Sequence, residues 1–181
     1  SLADVFPSLK EDRDGESEIT VGERVYRATI KADQKVIYFQ DVTEQATLAK
    51  KYEEEKIAIG LLMLDNLEEA TQGMDDQTRS VLLAKVTGKI TTWSQKYGVI
   101  LRRMSSDRYL LIMNNKALRQ LEQSRFDILD DVRDLTEHNK LPLTLSIGIG
   151  AGADSLLELG QWAQTSLDMA LGRGGDQVAV K

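Results

Sequence analysis

The stretch that most constrains this chain is Leu143-Thr144-Leu145-Ser146-Ile147-Gly148-Ile149-Gly150. Strict alternation is the period of a β-strand, in which successive side chains point to opposite faces. Leu143, Leu145, Ile147 and Ile149 give one face to a core. The other face carries only Thr144, Ser146, Gly148 and Gly150, so another element or a ligand must come close there. A strand needs partners, and residues 57–181 supply them in a readable order. "IAIGLLML" is a buried strand ending at Asp65. Residues 75–97 read as a helix, with Leu82, Val86, Ile90, Trp93 and Tyr97 spaced three and four apart. "GVILRRM" and "YLLIM" flank Asp107 as a hairpin. Residues 117–138 read as a second long helix, with Leu118, Leu121, Ile128, Val132 and Leu135 on one stripe. A capping box of Ser155 and Glu158 opens a third helix, for which Gly172 is the natural C-cap. "QVAV" closes as a strand. The order β-α-β-β-α-β, with a further αβ, predicts an α+β, ferredoxin-like sheet covered by helices on one face.

The first 56 residues differ in kind. Residues 1–16 are polar and acidic and predict a loosely held start. Residues 17–41 hold strand-like runs at Val25–Ala28 and Val36–Phe39 around the turn-forming "KADQK". So few strands cannot bury a stable core alone, so upstream chain or a partner must complete the sheet. Asp41 or Thr43 is an N-cap for a linker helix whose Leu48 and Tyr52 lie four apart, while Glu53, Glu54 and Glu55 form a solvated face. The expected organisation is therefore 1–42, a linker over 43–56, and 57–181. The chain has no cysteine, which removes disulfides and thiolate metal sites. No apolar run reaches the ~18 residues of a membrane span. "SLADVFPSLKEDRDG" lacks the pattern of a secretory signal. Scattered basic residues and a net charge of −6 leave no nucleic-acid footprint. Trp93 and Trp162 are expected in the core, and His138 at a helix C-terminus.

Two acids stand where chemistry is possible. Asp65 ends the first strand and Asp107 marks the hairpin tip. In a ferredoxin-like sheet the first strand lies beside that hairpin, so the two carboxylates can converge on one edge. Such a pair suits Mg²⁺, which takes oxygen ligands and fills its shell with waters and phosphates. The same residues also have a local reading, in which Asp65 caps the next helix and Asp107 bonds its turn. Spacing leaves both open.

From "IGLLMLDNLEEA" through "MSSDRYLLIM" to "LTLSIGIGAGADSLLELGQWAQTSLDMALGRGGDQVAV", the chain resembles the GGDEF domain of nucleotide cyclases. The signature Gly-Gly-Asp/Glu-Glu-Phe falls on Ser105-Ser106-Asp107-Arg108-Tyr109. "YFQDVTEQ" and the helix after it resemble the end of a PAS domain. With "GRGGDQVAV", the pattern resembles the membrane-anchored cyclic-di-AMP phosphodiesterases of the GdpP type. Those run from a transmembrane pair through PAS and degenerate GGDEF domains to a DHH/DHHA1 phosphodiesterase unit. The resemblance implies a ferredoxin-like nucleotide-cyclase (GGDEF) fold after a partial PAS sheet and linker helix. It implies a regulatory region at the cytoplasmic face of a membrane, with those upstream and downstream segments as partners, and a homodimer. It also implies Mg²⁺ on Asp65 and Asp107, and a nucleotide, ATP rather than GTP, on Ser105, Ser106 and Arg173. Haem would belong to an intact PAS domain, of which this chain carries only the end.

Departures from the family pattern shape the expected activity. The signature's two glycines let backbone approach phosphates; Ser105 and Ser106 add side chains there, although their hydroxyls remain donors. Arg108 replaces an acid and stays protonated, so it cannot serve as a base. The guanine-reading positions fall near Gly73 and Leu82, which lack the needed polar groups. The product-inhibition motif Arg-x-x-Asp meets Lys96 and Val99 and is absent. Diguanylate cyclase activity is therefore not expected, and any ATP hydrolysis should be weak. The alternative is a purely structural coupling or dimerisation module without ligand. Either way, the DHH route needs clustered aspartates and histidines around two metals, and this chain has a single histidine. The 181-residue chain should thus leave cyclic-di-AMP intact; linear product above the no-protein control, read by chromatography, would contradict this.

Overall fold

The computed structural model, which describes residues 14–139 and 141–181, divides the chain into two units between Glu53 and Glu54. In the first unit, β1 (Gly15–Val21), β2 (Arg24–Lys31) and β3 (Val36–Asp41) form an antiparallel sheet in that order. The expected loose start thus gives way to strand at Gly15, and its first thirteen residues lie outside the described ones. The β1–β2 turn has Gly22 at φ +61°, a conformation glycine adopts without steric cost. Ile19, Ala28 and Ile30 are buried, with Tyr26 and Ile37 packed against them. At the exit of β3, Asp41 Oδ1 accepts from the Thr43 N–H at 3.0 Å and its hydroxyl at 2.6 Å. These bonds, the hydroxyl's first, hold the Asp41 carboxyl below its ordinary pKa. They also start α1 (Thr43–Glu55), which buries none of its side chains. Leu48 is 69% exposed and Tyr52 64%.

The second unit runs β4 (Ile57–Leu64), α2 (Leu67–Ala70), α3 (Asp76–Lys96), β5 (Ile100–Arg103), β6 (Arg108–Asn114), α4 (Asn115–Gln123), α5 (Ile128–Leu135), β7 (Leu145–Gly150), α6 (Leu156–Gly172) and β8 (Val178–Val180). Its sheet order is β5-β6-β4-β7-β8, with β8 parallel to β7 and the other pairs antiparallel. That is the ferredoxin-like order with one strand added at the β7 edge.

Helices cover both faces rather than one. Register places Leu62 beside Tyr109 and Ile147, and Leu64 beside Leu145. These residues share one core with Val86, Ile90 and Trp93 of α3 and with Ile128 and Val132 of α5. The opposite face of β7 belongs to α6. A Cβ on Gly148 would overlap the Leu167 backbone nitrogen and the Ala163 carbonyl, and one on Gly150 would stand 2.9 Å from the Ala163 nitrogen. The small-residue face therefore exists to admit a helix backbone, and the sequence could not name which helix.

Two helix boundaries also differ from expectation. The second long helix is two, α4 and α5, because Arg125 and Phe126 take φ +53° and +52°. Phe126 is buried by this bend and donates its N–H to the Leu121 carbonyl at 2.9 Å. At the end of α6, Gly172 is still helical. The left-handed residue is Gly174 (φ +107°), and the Gly174 and Gly175 N–H groups bond the Leu171 and Ala170 carbonyls at 3.0 Å each. This is the paired-bond Schellman ending. Trp93 is buried as expected, whereas Trp162 is only half-buried, with the Lys181 ammonium 5.0 Å from its ring centre. Replacing Gly148 with Ala should force α6 off the sheet and cost at least about 1–3 kcal/mol of stability; a melting curve or urea titration matching the parent chain would contradict the close approach.

Candidate functional site

Asp65 continues β4 by one residue, since its N–H donates to the Thr144 carbonyl at 3.0 Å. Pairing with β7 turns its carboxylate toward the small-residue face. There Oδ2 accepts from the Ser146 hydroxyl at 2.9 Å, the Thr144 hydroxyl at 3.2 Å and the Asp176 N–H at 2.8 Å. Asn66 reinforces this end of β7 by accepting from the Thr144 N–H and donating to the Pro142 carbonyl. The local reading of Asp65 as a helix cap is not what the structure shows, because its partners come from β7 and the loop before β8. Asp65 Oδ1 is buried and, among the described residues, has no hydrogen-bond partner. An unmet buried oxygen of this kind costs about 1–3 kcal/mol or more, which a cation would offset. The donor set therefore fits a hard cation such as Mg²⁺. Among the described residues no three acids or histidines converge as a metal cage. Such a cation would take one or two carboxylates and complete its shell from water and phosphate.

The hairpin tip is built without glycine. The Met104 and Ser105 N–H groups donate to the Arg108 carbonyl at 2.9 and 3.3 Å, and no residue from 104 to 108 takes a positive φ. Arg103 braces the tip, with Nε to the Ser105 carbonyl at 2.9 Å and Nη2 to the Ser106 carbonyl at 3.3 Å. The Ser105 hydroxyl donates to Asp107 Oδ1 at 2.6 Å, so the acid does bond its own turn. The Asp107 carbonyl in turn accepts from the Leu64 N–H at 2.8 Å. The structure thus brings the backbones at Asp65 and Asp107 together, while among the described residues their carboxylates share no partner. Ser106 and Arg108 are exposed. Arg173 is exposed at the end of α6, two residues before Gly175, where a Cβ would stand only 2.7 Å from Asp65 Oδ2. Asp176, Gly175 and Arg133 were not foreseen as site residues. The Gly174-Gly175 pair was the available signal of a close approach; nothing in the sequence pointed to Arg133.

Residues 62–181 match the family described as the cyclic-di-AMP phosphodiesterase GdpP-like GGDEF domain. The chain belongs to this family. It is 48% identical over 177 residues to the cyclic-di-AMP phosphodiesterase GdpP of Bacillus subtilis, covering 98% of this chain and 27% of that protein. It is 39% identical over 186 residues to the cyclic-di-AMP phosphodiesterase PdeA of Listeria monocytogenes, covering 100% of this chain and 28% of that one. The chain thus spans just over a quarter of the length of these relatives. Among solved structures, the DgcB GGDEF domain of Caulobacter crescentus, in complex with c-di-GMP, matches with a TM-score of 0.59 at 16% identity, covering 76% of this chain and 84% of that one. The active GGEEF domain of a Vibrio cholerae diguanylate cyclase matches with a TM-score of 0.57 at 12% identity, covering 75% and 89%. At such identities these structures establish the GGDEF fold alone.

Within this GGDEF-type fold, the positions expected to read guanine hold no polar side chain. Gly73 sits in the turn between α2 and α3 at φ +81°, and Leu82 packs against the core. Lys96, where the product-inhibition motif was expected to begin, belongs to an internal knot. Asp127, at the α4–α5 bend, accepts from Trp93 Nε1 at 3.0 Å, Lys96 Nζ at 2.9 Å and the Tyr97 hydroxyl at 3.1 Å. Val99 is buried. His138 is largely exposed, 3.2 Å from a Glu137 carboxylate oxygen. Burial pushes the Asp127 carboxyl up, but hydrogen bonds from Lys96 and Tyr97 outweigh it, leaving the pKa below the ordinary value of 3.8. A depressed folded-state pKa contributes stability above the unfolded value and loses it as pH falls through the folded one. Asp127→Asn should therefore destabilise the domain most above about pH 5, with the gap to the parent closing as pH drops below the ordinary carboxylate range. Urea midpoints measured from pH 3 to pH 7 test this; a gap independent of pH would contradict it.

Proposed function

We propose that this chain is the PAS-end and GGDEF-like regulatory region of a membrane-anchored cyclic-di-AMP phosphodiesterase, facing the cytoplasm. In this reading it holds a Mg²⁺–nucleotide without forming a cyclic dinucleotide. The family and the relatives' names support the parent activity, which would reside in a DHH/DHHA1 unit outside this chain. The observation that carries the nucleotide reading is the bond from the Leu64 N–H to the Asp107 carbonyl. It ties the altered signature turn to the strand end bearing Asp65, whose buried Oδ1 has no partner among the described residues.

The residues divide the work unequally. Asp65, with Asp107, would hold Mg²⁺, whose charge would offset that of the phosphates. Ser106 and Arg173, both exposed, would contact phosphate by hydroxyl and guanidinium, the latter a preferred phosphate partner. Ser105 already gives its hydroxyl to Asp107 and would contribute mainly by holding that acid. Arg108 supplies positive charge where an activated 3′-hydroxyl would need an acid or base, so attack is left to water. Water would then form the new bond to the γ-phosphorus as the bond to ADP breaks, its proton passing to solvent. Forgoing a positioned base gives up roughly 10²–10⁴-fold in rate. With Gly73 and Leu82 offering no base contacts, ATP and GTP should be poorly distinguished, and cellular abundance would favour ATP.

We expect slow, Mg²⁺-dependent phosphate release from ATP, lost in Asp107→Ala and reduced in Asp65→Ala. Malachite-green assays with all three proteins, each checked for folding by circular dichroism, test this. Full activity in Asp107→Ala would place the site elsewhere. An absence of nucleotide binding by the parent chain at millimolar concentration would favour a coupling module without ligand.

A further inference from the structure

The loop between α6 and β8 is more constrained than closing a sheet edge requires. Gly174, Gly175 and Asp176 take φ +107°, +76° and +55° in succession. The last is a conformation that side-chain-bearing residues disfavour. Two sets of contacts hold it. The Schellman bonds fix where the loop leaves α6, and Arg133 of α5 grips the loop's far end. Its Nε and Nη2 donate to Asp176 Oδ2 at 3.1 and 2.7 Å, while Nη1 donates to Asp130 Oδ1 at 2.8 Å. What the loop delivers is a single donor, the Asp176 N–H, to Asp65 Oδ2 at 2.8 Å. Delivery needs backbone at close range, because a Cβ on Gly175 would stand 2.7 Å from that oxygen. The other two donors to Oδ2 are rotatable hydroxyls; the amide is the one with a fixed direction.

We infer that Asp176, braced by Arg133, is the positioning residue for Asp65, committing Oδ2 so that Oδ1 is left for the metal, and thereby couples site occupancy to the order of β8. The inference rests on the reading of Asp65 as a metal-bearing residue. Hydrogen-bonded partners of this kind orient ligating carboxylates and tune metal affinity. Coupling of this sort is reciprocal: if the braced loop favours the bound state, the bound state favours the braced loop. The strand that receives the effect follows at once, since the Gln177 carbonyl accepts from the Ile147 N–H at 3.0 Å and the Lys181 N–H donates to the Ile149 carbonyl at 2.9 Å.

The test uses the 181-residue chain, with Mg²⁺ and a fluorescent ATP analogue as probe. Arg133→Met should need about tenfold more Mg²⁺ for half-maximal probe binding, and Arg133→Lys should recover part of that loss. In the parent chain, Mg²⁺ with ATP should slow amide hydrogen exchange across residues 174–180. Equal Mg²⁺ dependence in Arg133→Met and the parent, or binding by the parent with unchanged exchange at 174–180, overturns this inference and leaves the nucleotide reading standing. No Mg²⁺-dependent binding by the parent overturns the nucleotide reading and this inference with it. Should Arg133→Met fail to fold, the exchange comparison on the parent chain decides alone.

Discussion

The second unit depends on one close approach, that of the α6 backbone to the glycine face of β7. Helix and sheet normally stand apart by the depth of their side chains. Here Gly148 and Gly150 remove that depth, and Ala163 faces them from the helix, buried like Leu159 and Leu167. The fully buried aliphatic row of β7 meanwhile packs on the α3–α5 side. A strand buried on both faces becomes the rigid reference for everything attached to it. The course of α6 then decides where its Schellman ending falls, and that ending places Gly175 and Asp176 against Asp65.

The site inherits its geometry from these elements. Asp65 is aimed by strand pairing, by two hydroxyls of β7 and by one amide from the loop after α6. Asp107 is aimed by its own turn and linked to the sheet through its carbonyl. The tip keeps its shape although both signature glycines are replaced, because none of its residues needs a left-handed conformation. In this chain, then, the turn can exist without glycine, and glycine there bears on how closely a ligand can approach. The change at Arg108 is of another kind, because a guanidinium stays protonated and cannot accept a proton as a base would.

The internal knot around Asp127 shows how a surface position can be recruited for structure. Trp93 and Lys96 of α3 and Tyr97 at its C-cap converge on one carboxylate at the bend between α4 and α5. The Lys96 ammonium also lies 4.6 Å from the centre of the Tyr97 ring. The bend is tied to α3 by this bonding, and the buried Phe126 gives the detour an apolar return. These interactions stabilise an irregular segment that helical periodicity alone would have smoothed over.

Much was legible in the sequence: the strands of the second unit, the order of its main elements, the hairpin around Asp107 and the buried row of β7. These follow from local periodicity and turn chemistry, which each segment carries with it, whereas the GGDEF fold was legible only through the resemblance of its motifs. The sequence also said that something must approach Gly148 and Gly150, and it left open whether the Asp65 and Asp107 carboxylates converge. Tertiary structure alone decided which helix approaches, that helices cover both faces, and that Arg125 and Phe126 break a helix whose stripe reads as continuous. It alone paired Asp65 with Thr144, Ser146 and Asp176, and Asp176 with Arg133. Those partners lie 79, 81, 111 and 43 residues apart. Contacts at such separations depend on how packed elements converge in space, and local periodicity carries no record of that.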